Sequence, residues 1–227
     1  QDPLNIYVGN PDLKPSFNNS FGMNFFNYKP LSQTGFFINL YGNATSNAIS
    51  SKDFVDSLGR RVYQSVNVNG NYSLNGNINY DLKIKKPEIN IGLGTNFGAN
   101  RYKNIVNDAA NETNQKNIGF DFRISKSKQK KYDLSLSSSA NYTTSNSSIQ
   151  QSVNIHYWTY SLHPDVDFFF PLKFQVHTDC EFNIRQKTSA FDNNLNTTYW
   201  NAWIGKKFFK QESLLIKIQA NDILDQH

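Results

Sequence analysis

The chain has 227 residues, 15% of them aromatic and only 18% charged, with a net charge of +5. No window approaches the roughly 20 consecutive apolar residues of a membrane helix, so any membrane role has to use strands. The single cysteine, Cys180, excludes a disulfide framework. Many of the cations fall in short turns instead of one stripe, which is not the footprint of a nucleic-acid binder.

Residues 9–15 open with Gly9 and Asn10, which suit a tight turn, and place Pro11 and Pro15 where they force extended backbone and remove ladder donors. This reads as the start of a strand, and a phosphate cradle is excluded because no helix follows. A period of two then begins. In 16–28, Phe17, Phe21, Met23 and Phe25 oppose Asn18, Ser20, Gly22 and Asn24; in 34–45, Phe36, Ile38 and Leu40 oppose Asn39 and Asn43. Such alternation signals a strand with two different faces. Residues 52–62, with Phe54, Val55 and a Leu58-Gly59 pair, suit a small hairpin.

Residues 62–84 read as one unbroken strand. Val62, Val66, Val68, Tyr72, Leu74, Ile78, Tyr80, Leu82 and Ile84 share one face, and Asn67, Asn69, Asn71, Asn75, Asn77 and Asn79 share the other. Soluble strands usually run about 3–10 residues. A longer one, apolar on one side and Asn-rich on the other, suits lipid on one side and a watery lumen on the other. Further strands are expected over 88–101, 117–125, 132–144, 158–170, 173–185, 197–208 and 213–221, which makes ten. Cys180 falls on the apolar face of its strand and reads as a small packed hydrophobe.

Connections alternate in length. Lys29–Gln33, Lys85–Pro87, Lys126–Lys130, Pro171–Leu172 and Phe209–Glu212 are short; Ser46–Arg61, Tyr102–Lys116, Ser145–Gln150 and Gln186–Asn196 are long and without hydrophobic periodicity. Tight turns on one rim and long loops on the other belong to outer-membrane barrels, with the short turns facing the periplasm. Soluble sandwiches alternate too, but their strands are shorter and turn every 8–12 residues. The expected fold is all-β, an antiparallel up-and-down transmembrane β-barrel of about ten strands and part of a larger barrel, with residues 1–227 forming a single barrel region.

Several stretches stand out together. They are Gly9-Asn10-Pro11-Asp12-Leu13-Lys14-Pro15 before an amphipathic strand, Arg61–Asn71 leading into an extended strand, and the aromatic-Pro turn Phe168-Phe169-Phe170-Pro171-Leu172-Lys173-Phe174. Tyr199-Trp200-Asn201-Ala202 before Lys206-Lys207-Phe208-Phe209-Lys210, and Asn221-Asp222-Ile223-Leu224-Asp225-Gln226, join them. In this order and spacing they resemble TonB-dependent outer-membrane receptors. The resemblance implies the carboxy-terminal part of a receptor barrel in the outer membrane. It also implies binding or uptake of a nutrient of unknown identity, and a plug and TonB system supplied by the full-length protein; a β-rich surface-binding protein without a transport role is the alternative outside the enzymes. Outer-membrane lipid and lipopolysaccharide are the expected surroundings, and neither cofactor nor nucleic acid is expected.

One patch carries chemistry. If the turn at Pro171-Leu172 is tight, Phe168 opposes Val176, Asp167 opposes His177, Asp165 opposes Asp179 and His163 opposes Glu181. Two histidines and four carboxylates then share one lumenal patch. Acid/base pairs of an outer-membrane protease, or a metal site, would use such residues. No nucleophile accompanies them and they begin near the short-turn rim, out of reach of an external substrate. The expected reading is a hydrated, cross-paired lumen wall and not an enzyme. Lysines 85, 86, 126, 128, 130, 131, 206, 207 and 210 gather at that same rim, where they either hold anionic lipid headgroups or keep the turns wet.

Overall fold

The computed structural model describes residues 4–149, 154–188, 195–209 and 211–225. Among them, thirteen strands form one sheet: β1 (Asn5–Val8), β2 (Phe17–Lys29), β3 (Thr34–Ser46), β4 (Ala48–Val55), β5 (Arg61–Val68), β6 (Asn71–Ile84), β7 (Ile89–Val106), β8 (Ala109–Lys128), β9 (Tyr132–Ser147), β10 (Ile155–Phe169), β11 (Phe174–Arg185), β12 (Thr197–Phe208) and β13 (Leu214–Ala220). Ten of them, β2, β3 and β6 to β13, make an antiparallel meander in which β3 pairs directly with β6. The other three form a side sheet in the order β1-β5-β4, which meets the meander at β7.

The period of two is kept in register across the meander. One row of facing residues runs Met23, Leu40, Gly76, Phe97, Ile118, Tyr142, Trp158; the next runs Asn24, Asn39, Asn77, Asn96, Gly119, Asn141, Thr159, Arg185. A slip of one residue in any pair would exchange the two faces, and none occurs. The amides of the polar row bond sideways, Asn39 Nδ2 donating to Asn77 Oδ1 at 3.3 Å. Gly119 interrupts the row because the space of a Cβ there is filled by Asn141 and Asn96.

A single sheet has no second layer to cover its apolar side. The accessible area is 15506 Å², whereas a compact chain of this mass exposes about 10,500 Å². Among the described residues the buried hydrophobics are Ala48 and Val62, both in the side sheet. On the meander Phe21, Phe25, Ile216 and Ile218 are all exposed. The hydrophobic free energy of this face is recovered only in an apolar surrounding.

Three expectations are corrected. Residues 62–84 are two strands, β5 and β6, broken at Asn69-Gly70, where Gly70 has φ +93°. The break has a partner-based cause: pairing of β3 with β6 ends at Thr45 and Asn71, so 61–68 has no neighbour in the meander and pairs with β4. Among the described residues the strand count is thirteen; the meander supplies ten, and β1, β4 and β5 lie beside it. The stretch 102–116 is not a loop. β7 and β8 continue through it to a two-residue turn at Asn107-Asp108, φ 47° and 60°, the backbone that closes a twisted hairpin. Ser46–Arg61 likewise holds β4, and the hairpin expected at 52–62 is β4–β5. Gln150, and residues 189–194 of the stretch 186–196, lie outside the described residues, as do Lys210 and Gln226.

The sheet is open. Among the described residues β2 pairs only with β3, and β13 only with β12. All thirteen residues of β2 and all seven of β13 are exposed.

Polar contacts build the parts that stand beyond the meander. In the β7–β8 arm, Glu112 takes Arg101 at 3.2 Å and Lys103 at 3.1 Å. Hydrogen bonds from Asn114 and then Lys103 hold its carboxyl below the ordinary range. The side sheet is clamped to this arm: Lys52 and Asp53 pair in parallel with Ile105 and Val106, and Lys52 meets Asp108 at 2.6 Å. Ser50 Oγ donates to the Lys103 carbonyl at 2.7 Å, and buried Asp53 holds Arg61 at 2.7 Å. Residues 9–15 lie along β5. Asn67 donates to the Lys14 carbonyl at 2.9 Å and accepts from its amide at 2.7 Å, while Asn10 donates to the Ser65 carbonyl at 2.9 Å.

Two predictions follow from these arrangements. Ile78→Arg, in the middle of the apolar face of β6, should lower folding into lipid vesicles by about 2–4 kcal/mol, whereas Asn77→Arg on the polar face should be tolerated; gel mobility of the inserted fraction reads the difference. At the β4–β5 turn, Asp56 accepts from the Arg60 amide and guanidinium and from the Leu58 amide. The Arg60 amide is the chief cause that lowers its pKa from 3.8. A lowered carboxylate stabilises the fold above its unfolded value and loses that contribution as pH falls through the folded one. The turn amides should therefore keep their NMR shifts down to about pH 4 and change below it. Asp56→Ala should abolish that transition.

Candidate functional site

The site lies on the polar face. Six adjacent strands, β6 to β11, enclose a groove of about 290 Å³ on it, lined by Asn79, Asp81, Asp121, Arg123, Ser137, Ser139, Ser161, His163 and Glu181 among others. Room for it comes from Gly92 and Gly94 on β7. A Cβ at Gly92 would sit 2.9 Å from Asp81 Oδ1, and one at Gly94 would sit 2.8 Å from Asn79 Oδ1.

Beside this groove lies the patch expected from the Pro171 turn. The turn is tight, with Leu172 and Lys173 at positive φ, and it sets the register: Phe168 faces Val176, Asp167 faces His177 and Asp165 faces Asp179. The ladder is interrupted at His163-Pro164. His163 and Glu181 both line the groove, one strand apart.

His177 is the centre of the patch. Its Nδ1 lies 3.3 Å from Asp167 Oδ1 and its Nε2 lies 3.1 Å from Asp179 Oδ1, with all three side chains about four-fifths covered. Two carboxylates directly opposite each other repel, and this occurs twice, at Asp165/Asp179 and at Asp167/Asp133. The imidazole bridges the two sets. As a neutral ring it donates one of these bonds; as imidazolium it donates both. Further donors spread the charge: Gln175 Nε2 to Asp167 at 3.0 Å and Asn201 Nδ2 to Asp179 at 2.8 Å. Trp203 stacks on the ring, 5.5 Å between centroids.

Ligand atoms of Asp165, Asp167 and His177 lie within 4.8 Å of one another, a donor set that suits a cation. Both imidazole nitrogens already face carboxylates, so a metal would have to displace one of those contacts. The six residues read from the sequence thus divide: Asp165, Asp167, His177 and Asp179 form one cluster, and His163 and Glu181 belong to the adjoining groove with Asp81, Asp121 and Arg123. Asp133, Gln175, Asn201 and Trp203 were missed. Gln175 lies on the same hairpin and face as His177 and was within reach of the turn rule; the other three are brought in only by the pairing of β9 and β12, which no hairpin rule applied to the 170–174 turn reaches.

Residues 1–112 match the model of the outer membrane protein beta-barrel family. The protein is located in the outer membrane. The match spans β1 to β7 and the start of β8; β8 to β13 continue the same two faces without a break in register. No curated protein and no solved structure matches the chain. Outer-membrane placement supplies the apolar surrounding that the bare face requires.

Asp167→Asn/His177→Ala should leave folding almost unchanged, by about 1 kcal/mol or less, because each lost contact is partly solvated. Urea titration of the inserted protein measures it, and a much larger loss would mark the patch as a structural keystone.

Proposed function

We propose that this chain forms barrel wall of a TonB-dependent receptor that takes up a polar nutrient across the outer membrane. The observation that carries the reading is the polar face of the meander, with a groove across β6 to β11 lined by Asn, Ser, Asp and His, opposite a bare apolar face. A lumen of that kind offers a polar solute hydrogen bonds at every step and no strong trap. The β1-β5-β4 sheet and the β7–β8 arm stand at the end opposite the short turns, which is the cell surface in barrels of this class. There they present exposed Tyr7, Leu58 and Tyr102 to an incoming ligand. A plug and the TonB system would complete the receptor, with the open edges of β2 and β13 joined to further strands.

A second reading, a barrel protease, draws on the convergence of Asp165, Asp167 and His177. The patch lies a few residues from the Pro171 turn, at the end away from the cell surface, and its histidine is already held on both sides. We favour the wall.

The test is uptake. Cells lacking the full-length gene should lose accumulation of at least one class among labelled oligosaccharides, peptides and iron–siderophore complexes, and an uncoupler of the proton gradient should abolish the same uptake in the parent. Unchanged accumulation of all three would overturn the receptor reading. Peptide cleavage by the purified chain in detergent with lipopolysaccharide, lost in Asp167→Asn/His177→Ala, would promote the protease instead.

A further inference from the structure

At the short-turn end the strand carboxylates keep to one face, while several lysines take the other. Register puts Lys29, Lys126, Lys128 and Lys206 on the apolar side, next to Ile124, Leu134, Phe174 and Ile216. The carboxylates at the same height, Asp81, Asp133, Asp167 and Asp179, all sit on the polar side. Two acidic side chains lie in the turns, Glu88 and Glu212, and Glu212 is taken by Lys207 at 3.2 Å. No ion pair among the described residues engages Lys126, Lys128 or Lys206. The Lys206 ammonium instead lies over the rings of Phe174 and Phe208, 4.8 and 5.5 Å from their centres. The adjoining turns add exposed Lys85, Lys86, Lys130 and Lys131.

Their height can be placed from β8. Along its outward face, Lys116 and Lys126 bracket Ile118, Phe120, Phe122 and Ile124. Ten residues span about 34 Å of strand, or about 24 Å of membrane at a 45° tilt, which is the height of the apolar band of such barrels. Lys126 therefore stands at the lipid–water boundary on the short-turn side. Aromatic pairs mark both boundaries on the same face: Tyr142–Trp158 at 5.0 Å toward one end and Phe168–Phe170 at 6.3 Å toward the other.

We propose that these outward lysines form a collar that binds the headgroups of anionic phospholipids in the periplasmic leaflet. A lysine stem lies on apolar or aromatic surface and carries its ammonium to the phosphate level. The facing carboxylates, which would otherwise neutralise the collar, are on the far side of the sheet. The inference needs the apolar face in lipid and does not depend on nutrient uptake.

The test uses the full chain refolded in detergent micelles holding phosphatidylglycerol and phosphatidylcholine in equal amounts, with the retained lipid counted by mass spectrometry. Each lysine at the boundary should favour the anionic lipid about fivefold. The wild type should therefore retain phosphatidylglycerol preferentially, and Lys126→Gln/Lys128→Gln/Lys206→Gln should retain the two lipids nearly equally. Changing the same three lysines to Arg should keep the preference, which separates loss of charge from loss of fold. Lys83→Gln/Lys207→Gln/Lys217→Gln, equal in charge but on the polar face, should keep it as well. Inorganic phosphate, matched in ionic strength with chloride, should leave the preference intact; its loss there would identify a free-phosphate site and overturn the proposal. Equal retention by the wild type, or equal loss in the inward and outward variants, would also overturn it.

Discussion

Everything in this molecule depends on the two-residue side-chain period staying in register from β2 to β13. Because no pair slips, each strand adds to the same two faces, and because there is one layer, neither face is covered by protein. The usual driving force of folding, removal of apolar area into an interior, is nearly absent here. Among the described residues the buried side chains, Ala48, Ser50, Asp53 and Val62, lie in the side sheet, and the meander is held by its ladders and by whatever apolar medium meets Phe21, Phe97, Phe120 and Ile218. An outer membrane is that medium, and the family match over residues 1–112 agrees with it.

The polar face is organised by the same register. Amide rows and glycines on β7 and β8 let neighbouring Asn and Asp side chains lie across the sheet, which opens the groove beneath β6 to β11. Acidic groups accumulate on this face toward the short-turn end, where one imidazole and several amides offset their repulsion. Lys29, Lys126, Lys128 and Lys206 of the same end point the other way, while Lys83, Lys207 and Lys217 stay on the polar face. The first four are thus separated by the backbone from the carboxylates at their height and serve a different surrounding.

Beyond the meander the construction changes. The side sheet buries Ala48 and Val62 and is bridged within by Asp53–Arg61, and charged and amide pairs such as Lys52–Asp108 and Asn67 with Lys14 tie it to the β7–β8 arm and to the amino-terminal segment. Such contacts are individually small in water. They act together because β4 is joined to β7 and residues 9–15 are laid along β5, so that the amino-terminal segment and the long arm become one unit.

Alternation within each strand was legible in the sequence because it is a local property, and so were the positions of the short turns. The Pro171 turn even carried the register of Asp167 against His177 and Asp165 against Asp179, since a tight turn leaves one pairing possible. The division of 62–84 was not legible: Val62, Val66 and Val68 continue the even face of β6, and the break depends on where β3 ends. The arm over 102–116 was missed because Asn, Thr, Glu and Gln carry no hydrophobic period, although Asn107-Asp108 is a hairpin turn. Sequence alone determined the two-faced strands and the medium they need, because side-chain polarity repeats with the backbone. Only the tertiary structure decided which strands are neighbours, and with it the side sheet, the open edges and the partners of His177 on β12, because pairing between distant segments leaves no local pattern.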